Sequence, residues 1–155
     1  MKAVVQRVRE ASVTVDTRKT GSIDSGLLVY LGVAVNDSEK DAEWMAEKIA
    51  NIRIFNDGEG KMNLSLLDII KTEGNGECIV GVLAISQFTL LADAAKGRRP
   101  FYGAAAEPEK ANALYEYFIS KIKQQGLICE AGIFQARMDV RYVNDGPVTI
   151  ILDSP

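Results

Sequence analysis

The chain has 155 residues, 47% hydrophobic and 25% charged, with a formal net charge of −3. That length suits one domain with a sizeable core, and the acidic balance excludes coating nucleic acid by bulk charge while leaving room for a local basic patch. No histidine is present, which excludes Ser-His-Asp and Cys-His catalysis and any histidine metal site.

In chain order, Val4 to Val8 and Ala11 to Asp16 are rich in β-branched residues and predict two strands. Gly26 to Val33 is nearly all apolar, which predicts a buried strand. Asn36-Asp37-Ser38 opens a helix, with Ser38 and Asp41 in capping-box spacing. Ala42, Met45, Ala46 and Ile49 form its apolar stripe, flanked by Trp44 and Ile52. Asn56 to Gly60 is a turn, and Leu64 to Ile70 fits either a helical turn or a strand. Gly74-Asn75-Gly76 is a second turn, followed by a central strand from Cys78 to Ile85 that runs directly into Ser86-Gln87-Phe88-Thr89-Leu90. Pro108 to Gln125 is the second helix, with a stripe of Ala111, Leu114, Tyr115, Phe118, Ile119 and Ile122, closed by Gly126. Strands follow at Leu127–Ala131, Met138–Val143 and Val148–Leu152.

Strands thus dominate, with two helices each apolar on one face only. The expected class is α/β, the helices covering one side of a sheet and a second sheet or a subunit partner the other. Cys78 and Cys129 form no CxxC pair, so no disulfide framework, metal or cofactor is expected. No apolar run approaches the roughly 20 residues of a membrane helix, and the start of the chain has no signal-peptide pattern. A cytoplasmic location is the expectation.

Several stretches can carry chemistry. "SQFTL" places Ser86, Gln87 and Thr89 at the end of an apolar strand. Their side chains either bond nearby backbone or, with the free N–H groups there, face a ligand. Thr89 lacks a histidine base, so backbone donors to an oxyanion are the better use of this stretch. "KGRRP" gathers Lys96, Arg98 and Arg99, either as a solvated loop or as a phosphate contact. Arg7 shares a face with Ala3 and Val5. If that face is buried its guanidinium needs acceptors, which carbonyls of an irregular turn would supply; on an edge strand it would stand in solvent. "NDGPVT" ends the chain with a Gly-Pro step before a strand. Pro147 either starts an edge strand or follows a cis bond whose flanking carbonyls point the same way. Two such acceptors, with no side chain on Gly146, would hold an ammonium group and crowd anything larger.

Together, "AVVQRV", "ASVTVD", "GLLVYLGV", "NIRIFNDGEGKMNLSLLD", "SQFTLLAD", "KGRRP" and "NDGPVTIILD" closely resemble the D-aminoacyl-tRNA deacylase family, over essentially the whole chain. The resemblance implies one domain over residues 1–155, a three-layer β/β/α sandwich that is homodimeric, with active sites at the subunit interface. It implies hydrolysis of the ester between a D-amino acid and the 3′ end of tRNA. By the same resemblance Gly146 and Pro147 are joined by a cis bond and reach into the partner's site, with Arg7 bracing them. Their carbonyls catch the α-amino group, and an L side chain is excluded by clash. Ser86, Gln87, Phe88 and Thr89 would line the pocket. The N–H groups of Phe88 and Thr89 are its oxyanion donors, and Thr89 borders the ester. The family is thought to rely on the terminal ribose 2′-OH of the tRNA, which fits a chain without histidine.

The chain departs from the family pattern twice. Gly132-Ile133-Phe134-Gln135-Ala136-Arg137-Met138 carries Gln135 where the family has glycine, near the wall expected for the terminal adenosine. The segment from Lys71 to Val80 is also longer than usual, and is expected to be an extended hairpin turn away from the chemistry. Competing readings are an editing domain of the kind found in archaeal threonyl-tRNA synthetases, a relative that clears achiral or L-alanyl tRNA, and a tRNA- or DNA-binding module without catalysis. The sequence leaves open which amino acids are preferred and whether glycyl-tRNA is cleared.

Overall fold

The computed structural model describes residues 1–73 and 80–155. Eight strands and three α-helices are found among them: β1 (Lys2–Val15), β2 (Arg18–Ile23), β3 (Ser25–Gly32), α1 (Glu39–Asn51), β4 (Phe55–Asn56), β5 (Met62–Leu64), α2 (Leu66–Glu73), β6 (Val80–Ser86), α3 (Pro108–Gln124), β7 (Ile128–Ala131) and β8 (Asp139–Asp153). The architecture is mixed α/β with a curled sheet. The expected Gly74-Asn75-Gly76 turn, the start of the central strand at Cys78 and most of the longer 71–80 segment lie outside the described residues.

The six-stranded sheet runs β2-β1-β3-β6-β7, with β8 on the other edge of β1. β3, β6 and β7 are parallel neighbours, while every pairing of β1 is antiparallel. β3 pairs residues 2–8 of β1, and β2 pairs residues 11–15. The sheet curls far enough to bring β2 against β7: a Cβ on Gly21 would lie 2.9 Å from the carbonyl oxygen of Ala131. Only a residue without a side chain permits that approach.

The curl separates two apolar clusters. Ala3, Val5, Leu27, Val29 and Leu31 join the inward faces of α1 and α3 in the larger one. Val8, Ala11, Val13, Ile23, Leu28, Leu83 and Ile85 form the smaller one on the opposite face. The stripes read from sequence are the faces found: Ala42, Met45, Ala46 and Ile49 are buried on α1, and Leu114, Tyr115, Phe118, Ile119 and Ile122 on α3. Each large side chain so buried contributes about 1.5–3 kcal/mol.

Two expectations need correction. A third helix, α2, occupies the ambiguous stretch. It is closed at its start by Asp68 Oδ2, which accepts from the N–H and hydroxyl of Ser65 at 2.9 and 2.7 Å. The central strand ends at Ser86, at the head of "SQFTL" as expected, and Phe88–Leu91 form a short 3-10 turn. Second, the two strands expected at the start, and the two expected at the end, are each one long strand. β1 and β8 pair from Lys2↔Asp153 to Thr14↔Asp139, and Asn144–Gly146, whose Asn-Asp-Gly sequence is a tight-turn signal, interrupts their ladder without reversing the chain.

Candidate active site

The interruption sits between the pairs Gln6↔Thr149 and Val8↔Asn144. There β8 bows out of the sheet, as a strand does when it carries residues its partner cannot match. At the crest is the Gly146–Pro147 peptide bond, which is cis, with Gly146 at φ 117°. The lack of a proline N–H does no harm here, because the ladder is already broken.

Side chains tie down the base of the bow. Asn144 Nδ2 donates to the carbonyls of Arg7 and Val148, both at 3.0 Å. Arg7 is 8% exposed, so its charge needs partners. Nη1 donates to the Ile54 carbonyl at 2.5 Å, and Nε lies 2.8 Å from Asp145 Oδ2, an ion-pair contact without hydrogen-bond geometry. Arg9 Nε donates to the other oxygen of Asp145 at 2.9 Å. Of the two readings of Arg7, the buried one holds, and the carbonyl of Ile54, in the loop before β4, is its backbone acceptor. Gly146 and Pro147 themselves are exposed.

A cleft of about 880 Å³ opens where β6 ends, floored by Leu31, Ile85 and Tyr115 and edged by Ser86, Gln87 and Phe88. Gln87 N–H donates to the Leu31 carbonyl at 2.8 Å, and its carbonyl accepts from Leu90 N–H at 3.2 Å. This turns the chain sharply out of the sheet. The N–H groups of Phe88 and Thr89, first in the 3-10 turn, have no backbone partner among the described residues, as expected for the first turn of a helix. Gln87 Nε2 donates to Thr89 Oγ1 at 2.5 Å. The Phe88 ring is 58% exposed and meets Tyr102 edge to face, 5.0 Å between centroids.

Lys96, Arg98 and Arg99 are all exposed on the loop that follows. Asp93 and Phe101 exchange backbone hydrogen bonds of 2.8 Å across its base, so the loop is a closed finger beside Tyr102. None of its three cations has an ion-pair partner among the described residues.

No side chain here is an evident base. Burial pushes the Cys129 thiol up to about 12, so it offers no thiolate. Tyr30, in contact with Tyr142, is also pushed up to about 12, first by burial and then by that neighbour.

The fold therefore brings Ser86, Gln87, Phe88 and Thr89 together and stations the basic finger nearby. Gly146 and Pro147 are absent from the lining of this cleft, and Arg7 serves the bow instead. Sequence reasoning did not single out Asn144 or Asp145 as the side chains that hold the bow. Both lie inside the quoted "NDGPVT", but their partners on β1 are more than 130 residues away in the chain. Tyr102 and Phe134 were also missed, since one aromatic residue in a loop carries no pattern.

What results is a small mixed α/β protein with a cleft at the end of β6 and, beside it, a 3-10 turn whose first two N–H groups have no backbone partner among the described residues. The model of the D-Tyr-tRNA(Tyr) deacylase family matches residues 4–153, and the chain belongs to that family. It is 56% identical over 154 residues to the D-aminoacyl-tRNA deacylase of Koribacter versatilis, covering 99% of this chain and 97% of that one. Among solved structures, the c-Myc DNA Unwinding Element Binding Protein is 40% identical, with a TM-score of 0.87 over 100% of this chain and 99% of that one. A second, described as a probable eukaryotic D-amino acid tRNA deacylase, is 15% identical with a TM-score of 0.80 over 97% of both chains. That likeness is one of fold.

Proposed function

We propose that this chain hydrolyses the ester linking a D-amino acid to the 3′ end of tRNA, releasing the free D-amino acid and tRNA and so removing wrong-handed residues from translation. The whole of residues 1–155 acts as one domain in the cytoplasm. No described helix is long and apolar enough to cross a membrane. Two copies pair as a three-layer β/β/α homodimer, so that Gly146–Pro147 of each enters the cleft of the other.

The observation that carries this reading is the placing of the bow. Arg7, Arg9 and Asn144 hold it rigidly, yet it projects outside its own chain's cleft. β8 pairs only with β1 among the described strands and exposes Tyr142, Val143 and Ile151. An open edge with apolar side chains suits burial against a second copy.

In the assembled site, the carbonyls beside the Gly146–Pro147 bond accept from the substrate α-ammonium. The backbone there leaves space for hydrogen but none for an L side chain. Glycyl-tRNA, including glycine charged on an alanine tRNA, has no side chain to exclude and would enter as well. Water attacks the ester carbonyl and the ribose oxygen leaves. The N–H groups of Phe88 and Thr89 hold the charge that develops on the carbonyl oxygen, in a site already organised to receive it. The terminal 2′-OH of the tRNA orients the water, a task for which this chain has no histidine. Ser86 and Gln87 line the acyl pocket, Thr89 borders the ester, and Lys96, Arg98 and Arg99 contact phosphates of the acceptor end.

The test is release of free amino acid from matched D- and L-aminoacyl-tRNA by the purified chain. Release from the D-form alone supports the reading; release from neither, or equally from both, sinks it. A second reading, recognition of duplex DNA without hydrolysis, is favoured only by the name of the 40%-identical structure. Tight salt-dependent binding to duplex DNA, with aminoacyl-tRNA left intact, would select it.

A further inference from the structure

Gln135 occupies a place that its side chain makes costly. The Ala136 N–H donates to the Ile133 carbonyl at 3.2 Å, closing a turn with Phe134 and Gln135 at its centre. Gln135 has φ 62°, the left-handed region required at the third position of a type II turn, where glycine or asparagine is favoured. Any β-carbon disfavours that conformation. A strained residue at a cleft is a reason to look for a role.

The turn is rigidly placed relative to the catalytic end of β6. The Ala84 carbonyl, two residues before Ser86, accepts from Gly132 N–H at 3.2 Å and from the Tyr115 hydroxyl at 2.8 Å. The Tyr115 ring packs against Phe134 at 6.2 Å. Phe134 thus anchors the turn, and Gln135 stands at the cleft rim. Two side-chain amides line this cleft. That of Gln87 is engaged by Thr89, while that of Gln135 has no partner among the described residues.

We propose that the Gln135 amide reads the adenine of the substrate's terminal nucleotide, making it a specificity-determining residue of the site assigned above; the inference rests on that assignment. A glutamine amide presents a donor and an acceptor side by side. That matches the amino group and adjacent ring nitrogen on an adenine edge. The amino acid's side chain varies from one substrate to the next, and its α-ammonium and carbonyl are taken by other groups in the assigned site, whereas the 3′ adenine is common to every tRNA.

Gln135→Ala and Gln135→Gly are compared with the unchanged enzyme on two D-aminoacyl-tRNAs. One ends in adenosine; the other ends in purine riboside, which lacks the 6-amino group. The unchanged enzyme should show KM raised roughly 5- to 100-fold on the purine-ended substrate, with kcat within about 2-fold. Gln135→Ala should show a similar rise on the adenosine-ended substrate and little further rise on the other, because both changes delete one interaction. Gln135→Gly should lose the same discrimination while melting at a higher temperature than the unchanged enzyme. Unchanged KM in both variants, or independent additive losses, would leave Gln135 as a turn residue only and overturn the inference. An unchanged enzyme inactive on the adenosine-ended substrate would instead overturn the functional reading, and this inference with it.

Discussion

Arg7 Nε lies 2.8 Å from Asp145 Oδ2, joining the second residue of "NDGPVT" to a buried guanidinium on the neighbouring strand. The same guanidinium holds the Ile54 carbonyl, so one side chain positions the bow against the loop before β4. Arg7→Ala would leave that carbonyl unpaired and Asp145 with Arg9 alone. The expected loss is about 1–3 kcal/mol of stability, read as a lower urea midpoint, with deacylation falling further than stability does. Arg7→Lys, a point charge without the fork, should recover only part of both. An Arg7→Ala protein with unchanged midpoint and rate would show that the bow holds itself.

Gly146→Ala addresses the crest. Its φ is 117°, and a Cβ would meet Val148 Cγ2 at 2.9 Å and Val148 N at 3.0 Å. The bow must shift, and a shift of about 1 Å in a positioned group can cost on the order of 100-fold in rate. Rates on D- and L-substrates should therefore converge while the variant still folds. Retained discrimination would place the chiral filter elsewhere.

The basic finger is tested through salt. For every phosphate that Lys96, Arg98 or Arg99 no longer neutralises, the slope of log K against log [salt] should flatten by about 0.7 to 0.9. With all three replaced, an unaltered slope would mean that the finger is merely solvated.

Thr89 Oγ1 accepts from Gln87 Nε2, and its N–H is one of the two proposed oxyanion donors. Thr89→Ala keeps the N–H, so the loss should stay within about 1–3 kcal/mol, the range for an unmade hydrogen bond. A substrate ending in 2′-deoxyadenosine should be nearly inert with the unchanged enzyme. Trapping an acyl-Thr89 adduct would make the threonine a nucleophile.

Acid should loosen the start of α1. Burial pushes the Asp41 carboxyl up, but hydrogen bonds from the Ser154 hydroxyl and from the N–H and hydroxyl of Ser38, with the Met1 ammonium nearby, outweigh it and hold it at about 2. A carboxyl lowered from 3.8 in the folded state contributes stability above its unfolded value, and that contribution is lost as pH falls toward 2. Asp41→Asn should flatten the decline in melting temperature over that interval, with little change in its slope above about pH 5. An identical acid limb would remove Asp41 from the account.

The long amphipathic helices were legible because packing repeats a side-chain spacing many times. α1 and α3 needed only their stripes. α2 is only 8 residues long, so periodicity could not separate it from a strand. Its signal was the pair Ser65 and Asp68, spaced like Ser38 and Asp41. The continuity of β8 was illegible for a different reason. Asn-Asp-Gly is turn chemistry on local grounds, and only pairing with one unbroken β1 shows that the chain resumes its course. Of the residues quoted for the cleft, Ser86, Gln87 and Phe88 line it and Thr89 does not; the contacts of Arg7, Asn144 and Asp145 depend on register, which no local pattern encodes.

The two halves of β8 feed opposite sides of the sheet. Met138 and Val140 pack against the smaller cluster, and Val148, Ile150 and Leu152 against the larger one on the opposite face. From Val8↔Asn144 to Gln6↔Thr149, β8 takes five steps to β1's two. The excess is odd, and side chains alternate with a period of two, so the odd-and-even alternation of β8 shifts as it passes the bow. β1 makes the matching change nearby, where Val8↔Asn144 gives way to Glu10↔Val143. Which face Ile150 and Leu152 feed is set by their pairing with Val5 and Ala3 and not by the number of residues in the bow. The bow can therefore lengthen or shorten its reach without misdirecting either core, provided that this pairing is kept.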